Sequence, residues 1–176
     1  MKRKTLLISV LLGFSLLALT QRAMADKQSE LATAVQYIEQ DNYSQAFPIL
    51  QKFAEQGDAD AQFSLALLYD NGLGVAQDYA QAVKWYKAAA EQGSAKAQFN
   101  LALSYDEGQG VKQSYEQALK WYNAAAQQGY SKAQFNLAWK YNEGKGVKQD
   151  RQLAKQWFKK ACDNGDKNAC GLLQQH

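Results

Sequence analysis

The sequence predicts an all-α protein built from repeated pairs of helices. Three segments of the chain resemble one another at a constant step of 36 residues, beginning at Ala61, Ala97 and Ala133. Within each segment, apolar residues recur at helical spacing in two separate stretches. After residue 25 the chain contains one proline, Pro48, and no alternation typical of a strand. A fixed period of this length indicates a repeat array rather than a single-core domain.

The chain opens with the pattern of a secretory signal peptide. Residues 2–4 are basic, an apolar run covers residues 6–19, and residues 23–25 have the small-x-small pattern of a cleavage site. The apolar run is shorter than the ~20 residues that a membrane-spanning helix requires. We therefore expect cleavage between Ala25 and Asp26, no stable membrane anchor, and a mature protein that is periplasmic or secreted.

The charge of the chain gives no support to nucleic-acid binding. The whole sequence has 20 Lys and Arg against 17 Asp and Glu. Four of the basic residues and none of the acidic ones lie in the predicted signal peptide, so the remainder has 16 basic against 17 acidic side chains, a net charge of −1. A nucleic-acid interface needs a concentrated positive surface, which this sequence lacks. We expect no nucleic-acid partner.

Each repeat unit predicts two helices. In the unit 61–96 the first helix has apolar residues at spacings of 4, 1 and 3 from Ala61 onward. The second has a stripe at i, i+3, i+4, i+7 and i+8 that begins at Ala82 and includes Trp85 and Tyr86. The alanines let helix backbones come close, and we expect both aromatic rings to fill the space between layers. A stripe of this kind is more typical of a core than of a ligand cage, because one unit cannot bury its apolar face alone.

The glycine-rich segment between the two helices is predicted to be a turn. It reads NGLGV, EGQGV and EGKGV in the three units. In the middle unit, Gly108 should end the first helix in a left-handed conformation, and Ser114 should cap the second helix. A phosphate-binding loop would instead follow a strand and read GxxxxGK[ST]. This segment follows a helix and occurs three times, so we interpret it as structural.

The repeated pattern resembles the Sel-one-like repeat, a relative of the tetratricopeptide repeat. The family pattern is roughly A-x-x-x-L-G-x-x-Y-x-x-G-x-G-V-x-x-D-x-x-x-A-x-x-W-Y-x-x-A-A-x-x-G, and the chain meets it from Ala61 to Gly93. Later units replace Asp by Ser114, Tyr by Phe158 and Ala by Cys162. The resemblance implies a right-handed α-solenoid of antiparallel helix pairs. It also implies a scaffold that binds a protein or peptide partner rather than a catalyst. We expect a monomer without a cofactor.

The resemblance covers roughly residues 42–173 and suggests how the chain is divided. The expected parts are a signal peptide (1–25), an N-terminal tetratricopeptide-like helix pair (26–58), three Sel-one-like repeats (61–96, 97–132 and 133–168) and a C-terminal capping stub (169–176). Exported bacterial members of the family are associated with envelope maintenance and host interaction. The function implied is that of an exported scaffold in the bacterial envelope or at the host interface.

The first helix of each unit lines the concave face in such a superhelix, which predicts a partner groove. The predicted groove residues, taken unit by unit, are Phe63, Leu67 and Asp70, then Phe99, Asn100, Leu103 and Asp106, then Phe135, Asn136, Trp139 and Asn142. The two asparagines at 100 and 136 are suited to hold a peptide backbone or a carboxylate. The phenylalanines fit packing between units as well as they fit a groove. The Leu, Leu and Trp at positions 67, 103 and 139 are better groove candidates, because this position varies where the packing residues do not.

Cys162 and Cys170 are expected to form a disulfide. An exported chain with an even number of cysteines usually pairs them. Cys162 stands where Ala126 does, late in a second helix, and Cys170 stands where Gln98 does, early in the next first helix. Gly165 turns the chain between them, so the two side chains should face each other. A redox-active pair is the alternative, although the spacing is not C-x-x-C.

Catalysis is the weaker alternative for this chain. The only histidine is His176, so neither a Ser-His-Asp or Cys-His arrangement nor a His-containing metal site is easily assembled. The S-x-x-K, S-D-N and K-T-G motifs of serine β-lactamases do not occur. The cysteine spacing nevertheless resembles a cysteine-rich branch of the family, some members of which are described as binding or hydrolysing β-lactams. We expect no enzyme activity, no cofactor and no metal, with β-lactam binding or weak hydrolysis as the alternative.

Overall fold

The protein is a right-handed solenoid of α-helices. The computed structural model describes the backbone of residues 2–174 and the side chains of residues 20–174. Within residues 2–174 it has nine helices and no strand. The helices are α1 (Lys2–Glu39), α2 (Tyr43–Glu55), α3 (Ala59–Asn71), α4 (Tyr79–Glu91), α5 (Ala95–Glu107), α6 (Tyr115–Gln127), α7 (Ser131–Glu143), α8 (Arg151–Asp163) and α9 (Lys167–Gln174). The predicted all-α fold class is confirmed.

The helices form antiparallel pairs that stack in chain order. Each helix packs against the helices before and after it, and the most extensive contacts lie within the pairs α3–α4, α5–α6 and α7–α8. We call the odd-numbered helices A helices and the even-numbered ones B helices. Because each unit contacts only its neighbours, the array is held together by interactions that repeat from one unit to the next.

Leading into this array, α1 contains the end of the predicted signal peptide. The expected cleavage point between Ala25 and Asp26 falls inside this helix. The side chains of residues 1–19, which carry most of the signal-peptide pattern, lie outside the described residues, as do Gln175 and His176. In the part of the chain that the structure describes, no helix is both long and apolar enough to cross a membrane.

Tyrosines, rather than tryptophans, are the largest side chains in the core. Tyr86 is 1% exposed and Tyr122 is fully buried, among alanines that let the helices approach closely. Trp85 and Trp121 are half-buried and each packs against two successive clusters of buried residues. Both rings thus lie between packed layers as expected, but the tryptophan keeps part of its surface exposed. Neighbouring residues on a helix point about 100° apart, so only one of the two can face straight inward.

A buried glutamine links three consecutive helices at each unit boundary. Gln98, near the start of α5, is 6% exposed. Its Nε2 donates to the carbonyl of Ala90 in α4 at 3.1 Å, and its Oε1 accepts from Nε2 of Gln128, just after α6, at 2.8 Å. Gln62 and Gln134 make the same pair of bonds at 2.8–3.1 Å. These glutamines satisfy carbonyls near B-helix ends, which would otherwise be buried without a donor.

At the last boundary the two cysteines occupy the positions of this glutamine and its acceptor. Cys162 in α8 corresponds to Ala126, and Cys170 in α9 corresponds to Gln134. The structure places them at disulfide distance, with an S–S separation of 2.02 Å and a Cα–Cα separation of 4.7 Å. A covalent link thus stands where the other units have a hydrogen bond.

The first glycine of each interhelical turn ends its A helix as expected. Gly108 has a φ of 74°, and its N–H and that of Gln109 both donate to the carbonyl of Ser104, at 2.9 and 3.0 Å. The side chain of Gln113 adds a second cap, because its Nε2 donates to the carbonyl of Asp106 at 2.7 Å. Ser114 then caps α6 by accepting from the N–H of Gln117. The interpretation of this segment as a turn agrees with its geometry.

The second glycine of the turn has a role that the sequence analysis missed. Gly110 has a φ of 68°, and a Cβ built on it would lie 2.2 Å from the carbonyl oxygen of Tyr79 in the preceding unit. A Cβ built on Gly74 or Gly146 would likewise lie 2.5 or 2.6 Å from the nearest atom, in the first turn of α2 or α6. The turn of each unit therefore rests directly on the start of the preceding B helix, and only glycine leaves room for it.

We predict that Gly110→Ala destabilises the protein by about 2–4 kcal/mol, the sum of left-handed strain and a backbone clash. The matched control is Gly93→Ala, because Gly93 has a φ of 95° but open space around its Cβ position. The control should cost only about 1 kcal/mol. Thermal and urea unfolding of both variants provide the measurement. Equal losses would show that the close approach between units contributes nothing.

Candidate partner-binding surface

The eleven predicted groove residues all lie on the A helices α3, α5 and α7 and are all half-buried. Half-burial means that each side chain contributes both to packing and to the surface. Their surroundings differ from one unit to the next.

Each phenylalanine packs against an aromatic ring of its own unit's B helix, and Phe99 also lies 5.3 Å from Tyr130 at the start of α7. The ring centroid of Phe63 lies 6.0 Å from that of Tyr86, and Phe99 lies 5.9 Å from Tyr122. Phe135 lies 5.6 Å from Phe158 in an edge-to-face arrangement. Each phenylalanine thus supports the surface from beneath, which favours the packing interpretation over a direct partner contact.

Two aspartates on this surface accept hydrogen bonds from the buried tyrosines. Asp70 accepts from the Tyr86 hydroxyl at 2.9 Å, and Asp106 accepts from the Tyr122 hydroxyl at 3.4 Å. Burial raises the pKa of both tyrosines well above its ordinary value, and the adjacent carboxylates raise it further. The tyrosines therefore remain neutral donors, and each holds its aspartate in a defined position.

A salt bridge closes the surface between α5 and α7. Nζ of Lys140 binds Oδ1 of Asp106, and the lysine side chain is only 9% exposed. The same Nζ lies 4.9 Å from the centre of the Tyr115 ring. Asn136 completes the network, because its Nδ2 donates to the Tyr122 hydroxyl at 3.1 Å. Asp106 and Asn136, both predicted groove residues, are therefore engaged between units.

Lys140 was not among the residues predicted from the sequence. The corresponding positions of the earlier units hold Leu68 and Ser104, so the lysine is a change of residue type within the repeat. The hydroxyl of Ser104 donates to the carbonyl of Asn100 at 3.0 Å, so this position provides no cation for the Asp70 carboxylate. Among the described residues Asp70 consequently has no ion pair, and the surface is acidic at this end.

A cleft forms at the other end of this surface, between α7, α8 and α9. It has a volume of about 410 Å³. We call it the C-terminal cleft and define it by its lining residues: Trp139, Asn142, Arg151, Ala154, Lys155, Phe158, Leu172 and Leu173. The Trp139 ring stands edge-on to Phe158, with centroids 5.5 Å apart. Two predicted groove residues, Trp139 and Asn142, thus line a cleft together with apolar and cationic side chains of α8 and α9 that were not predicted to belong to the groove.

Among residues 20–174, no three His, Cys, Asp or Glu side chains come together in a way that could hold a metal ion. His176 lies outside the described residues. The groups that the surface offers are therefore amides, carboxylates, ammonium and guanidinium groups, and aromatic rings.

The repeat pattern and this architecture are matched by a known family. A family model of the Sel1 repeat matches the chain four times, at residues 35–58, 59–94, 95–130 and 131–166. The chain belongs to the Sel1 repeat family. The resemblance identified from the sequence is confirmed, and the first match covers residues 35–58.

Solved structures of other Sel1 repeat proteins share this fold. A Sel1 repeat protein from Oxalobacter formigenes is 39% identical over 79% of this chain and 57% of its own, with a TM-score of 0.75. The c5321 protein, a protective antigen present in uropathogenic Escherichia coli strains and displaying an SLR fold, is 38% identical over 89% of this chain and 34% of its own, with a TM-score of 0.80. This chain thus spans between a third and three fifths of the length of these two relatives.

Helicobacter pylori cysteine rich protein B is more distant. It is 24% identical over 81% of this chain and 93% of its own, with a TM-score of 0.57, and this likeness extends to the fold alone. Among curated proteins no match is found. The family and the fold are therefore established by comparison.

We predict that Lys140→Met destabilises the protein by roughly 1–3 kcal/mol, because it leaves the Asp106 carboxylate partly buried without a cation. Adding Asp106→Asn should restore part of the loss, with a coupling energy of about 0.5–2 kcal/mol in a double-mutant cycle. Lys159→Ala is the control, since its pair with Asp163 is 70% and 58% exposed and should contribute below ~0.5 kcal/mol. Strictly additive losses at positions 140 and 106 would contradict the network.

Proposed function

We propose that this Sel1 repeat protein is an exported scaffold that binds a protein partner along its A-helix surface, in the bacterial envelope or at the host interface. The observation that carries the proposal is a contrast between two parts of each unit. The buried glutamine and the turn glycines are the same in all three full units. On the A-helix surface, by contrast, Leu67 becomes Trp139, and Asp70 becomes Asn142.

This contrast favours recognition over a purely structural role. A purely structural array needs only the repeated packing residues. Its surface positions could then hold any polar residue, in no particular order along the array. Here the half-buried surface positions change chemistry from an unpaired acid at Asp70 to a neutralised pair at Asp106 and Lys140, and then to the C-terminal cleft. A graded surface of this kind can distinguish one partner, and one orientation, from another.

Two features support a location outside the cytoplasm. The first 25 residues have the composition of a signal peptide. Cys162 and Cys170 stand at disulfide distance, and such bonds persist in oxidising compartments.

A relative described as a protective antigen of uropathogenic strains is in keeping with a place at the host interface. The β-lactam alternative stays a prediction from cysteine spacing, because the cysteine-rich relative supports the fold alone.

Capture from a periplasmic extract tests the binding surface. We predict that Leu67→Ala with Leu103→Ala reduces the captured partner at least threefold, because truncating central apolar contacts commonly costs ~1 kcal/mol or more each. The matched control is Lys87→Ala with Asn123→Ala, two exposed positions that correspond to each other on α4 and α6. Circular dichroism must show that both double variants are folded. Loss of capture in the control, or full capture by the leucine variant, would contradict the proposal.

Mass spectrometry tests the proposed compartment. We predict that protein taken from the periplasm and alkylated without reduction carries no alkylated thiol, since the Cys162–Cys170 bridge is closed there. Chain-entropy arguments give such a bridge about 2–3 kcal/mol of stabilisation, so reduction should also lower the melting temperature. Protein expressed in the cytoplasm without residues 1–25 is the reduced reference. Two alkylated thiols in the periplasmic sample would refute the bridge, and absence of the protein from the periplasmic and extracellular fractions would refute the export.

A further inference from the structure

The C-terminal cleft differs in chemistry from the two boundaries that precede it. Where the earlier units have an aspartate bonded to a buried tyrosine, the third unit has Asn142 and Phe158. Asn136, whose amide donates to the Tyr122 hydroxyl, corresponds to Leu172 in α9. The polar network that closes the α5–α7 boundary has thus become an open apolar floor that also includes Trp139.

Cationic side chains border this floor. Arg151 and Lys155 lie on α8, one helical turn apart, where the preceding unit has Tyr115 and Leu119. Both cations are exposed, and among the described residues neither forms an ion pair. The nearest acid in sequence, Asp150, caps α8 by accepting from the N–H of Leu153 at 2.9 Å.

Two like charges at i and i+4 on a helix repel each other, so this arrangement carries a small cost in the unbound protein. An anion placed between the cations removes that cost and gains two charge-assisted contacts. The apolar floor alone would accept any apolar side chain. The two cations restrict the choice to apolar groups that carry a negative charge nearby, since charge complementarity decides specificity at such a border.

Building on the proposed function, we propose that the C-terminal cleft binds a peptide segment of the partner in which a carboxylate stands beside a bulky apolar side chain. The apolar side chain contacts Trp139 and Phe158, and the carboxylate lies between Arg151 and Lys155. The volume of about 410 Å³ falls within the ~300–1,000 Å³ typical of ligand sites, which is enough for one or two side chains. The amide of Asn142 offers a further hydrogen bond at the same border.

Fluorescence anisotropy with designed peptides tests this assignment. The probe is a fluorescein-labelled, C-terminally amidated hexapeptide of alternating leucine and glutamate, and its reference is the same peptide with glutamine for glutamate. We expect the glutamate peptide to bind the wild-type mature protein roughly tenfold more tightly than the glutamine peptide. Raising the salt concentration should reduce this difference, because the border charges are exposed to solvent.

Variants of the cleft separate its two parts. Arg151→Gln with Lys155→Gln should weaken binding of the glutamate peptide by roughly five- to tenfold and leave the glutamine peptide unchanged. Trp139→Ala should weaken binding of both peptides. The control, Lys96→Gln with Lys132→Gln, makes the same change in net charge at exposed residues outside the cleft and should alter affinity less than twofold.

Several results would overturn the assignment. They are equal binding by the cleft and control variants, equal binding of a peptide of alternating serine and glutamate, and no binding of the glutamate peptide by the wild type. Sedimentation with anionic lipid vesicles that depends on Arg151 and Lys155, without peptide binding, would assign the cleft to a membrane surface instead.

Capture from periplasmic extract separates this inference from the proposed function on which it rests. If the Arg151 and Lys155 variant captures the partner fully while the Leu67 and Leu103 variant does not, the cleft assignment fails and the scaffold proposal stands. If both variants capture fully, both ideas fail.

Discussion

A buried glutamine lies near the start of the A helix in each of the three full units. Its side chain donates to a carbonyl of the preceding B helix. It also accepts from a side-chain amide just after the B helix of its own unit. Gln98 represents the set, with bonds to Ala90 and Gln128. The carbonyls at a helix end have no partner within the helix, and burying one without a donor costs ~1–3 kcal/mol. The glutamines supply this donor from positions only 3–6% exposed, and the alanine-rich helices around these carbonyls can therefore pack closely without leaving them unpaired.

Much of the fold could be predicted because the repeat presents the same local signals three times. The 36-residue step, the helical spacing of apolar residues and the capping residues each act within one unit. Gly108 could be assigned a left-handed conformation because the reason lies in its own helix end. Gly110 could not be explained in the same way, because the atom that excludes a side chain belongs to Tyr79 in the preceding unit. The glutamines were also missed: a polar residue normally indicates the surface, and only the packing of three helices shows otherwise.

The surface was harder to predict than the fold. The A helices and the positions that face outward followed from helical spacing, yet that spacing does not show which side chains neutralise one another. Asp106 and Asn136 are engaged by Lys140 and Tyr122, which come from other helices. Arg151 and Lys155 contribute to the C-terminal cleft from a B helix, which the assignment of the groove to A helices had excluded. Contacts of this kind depend on the stacking geometry, and one unit of sequence does not contain it.

The exchange of a glutamine for Cys170 also bears on how an array of this kind can change in length. Duplicating residues 95–130 would add a unit whose buried glutamine meets the same acceptor and the same donor as before, so this bond can be repeated at internal junctions. The junction at Cys162 and Cys170 cannot repeat it, because a cysteine there has neither the amide to donate nor the oxygen to accept from a further B helix. Gene duplication can therefore add units at the internal junctions without changing the buried glutamine bonds, whereas a unit inserted between α8 and α9 would separate the two cysteines that now pair.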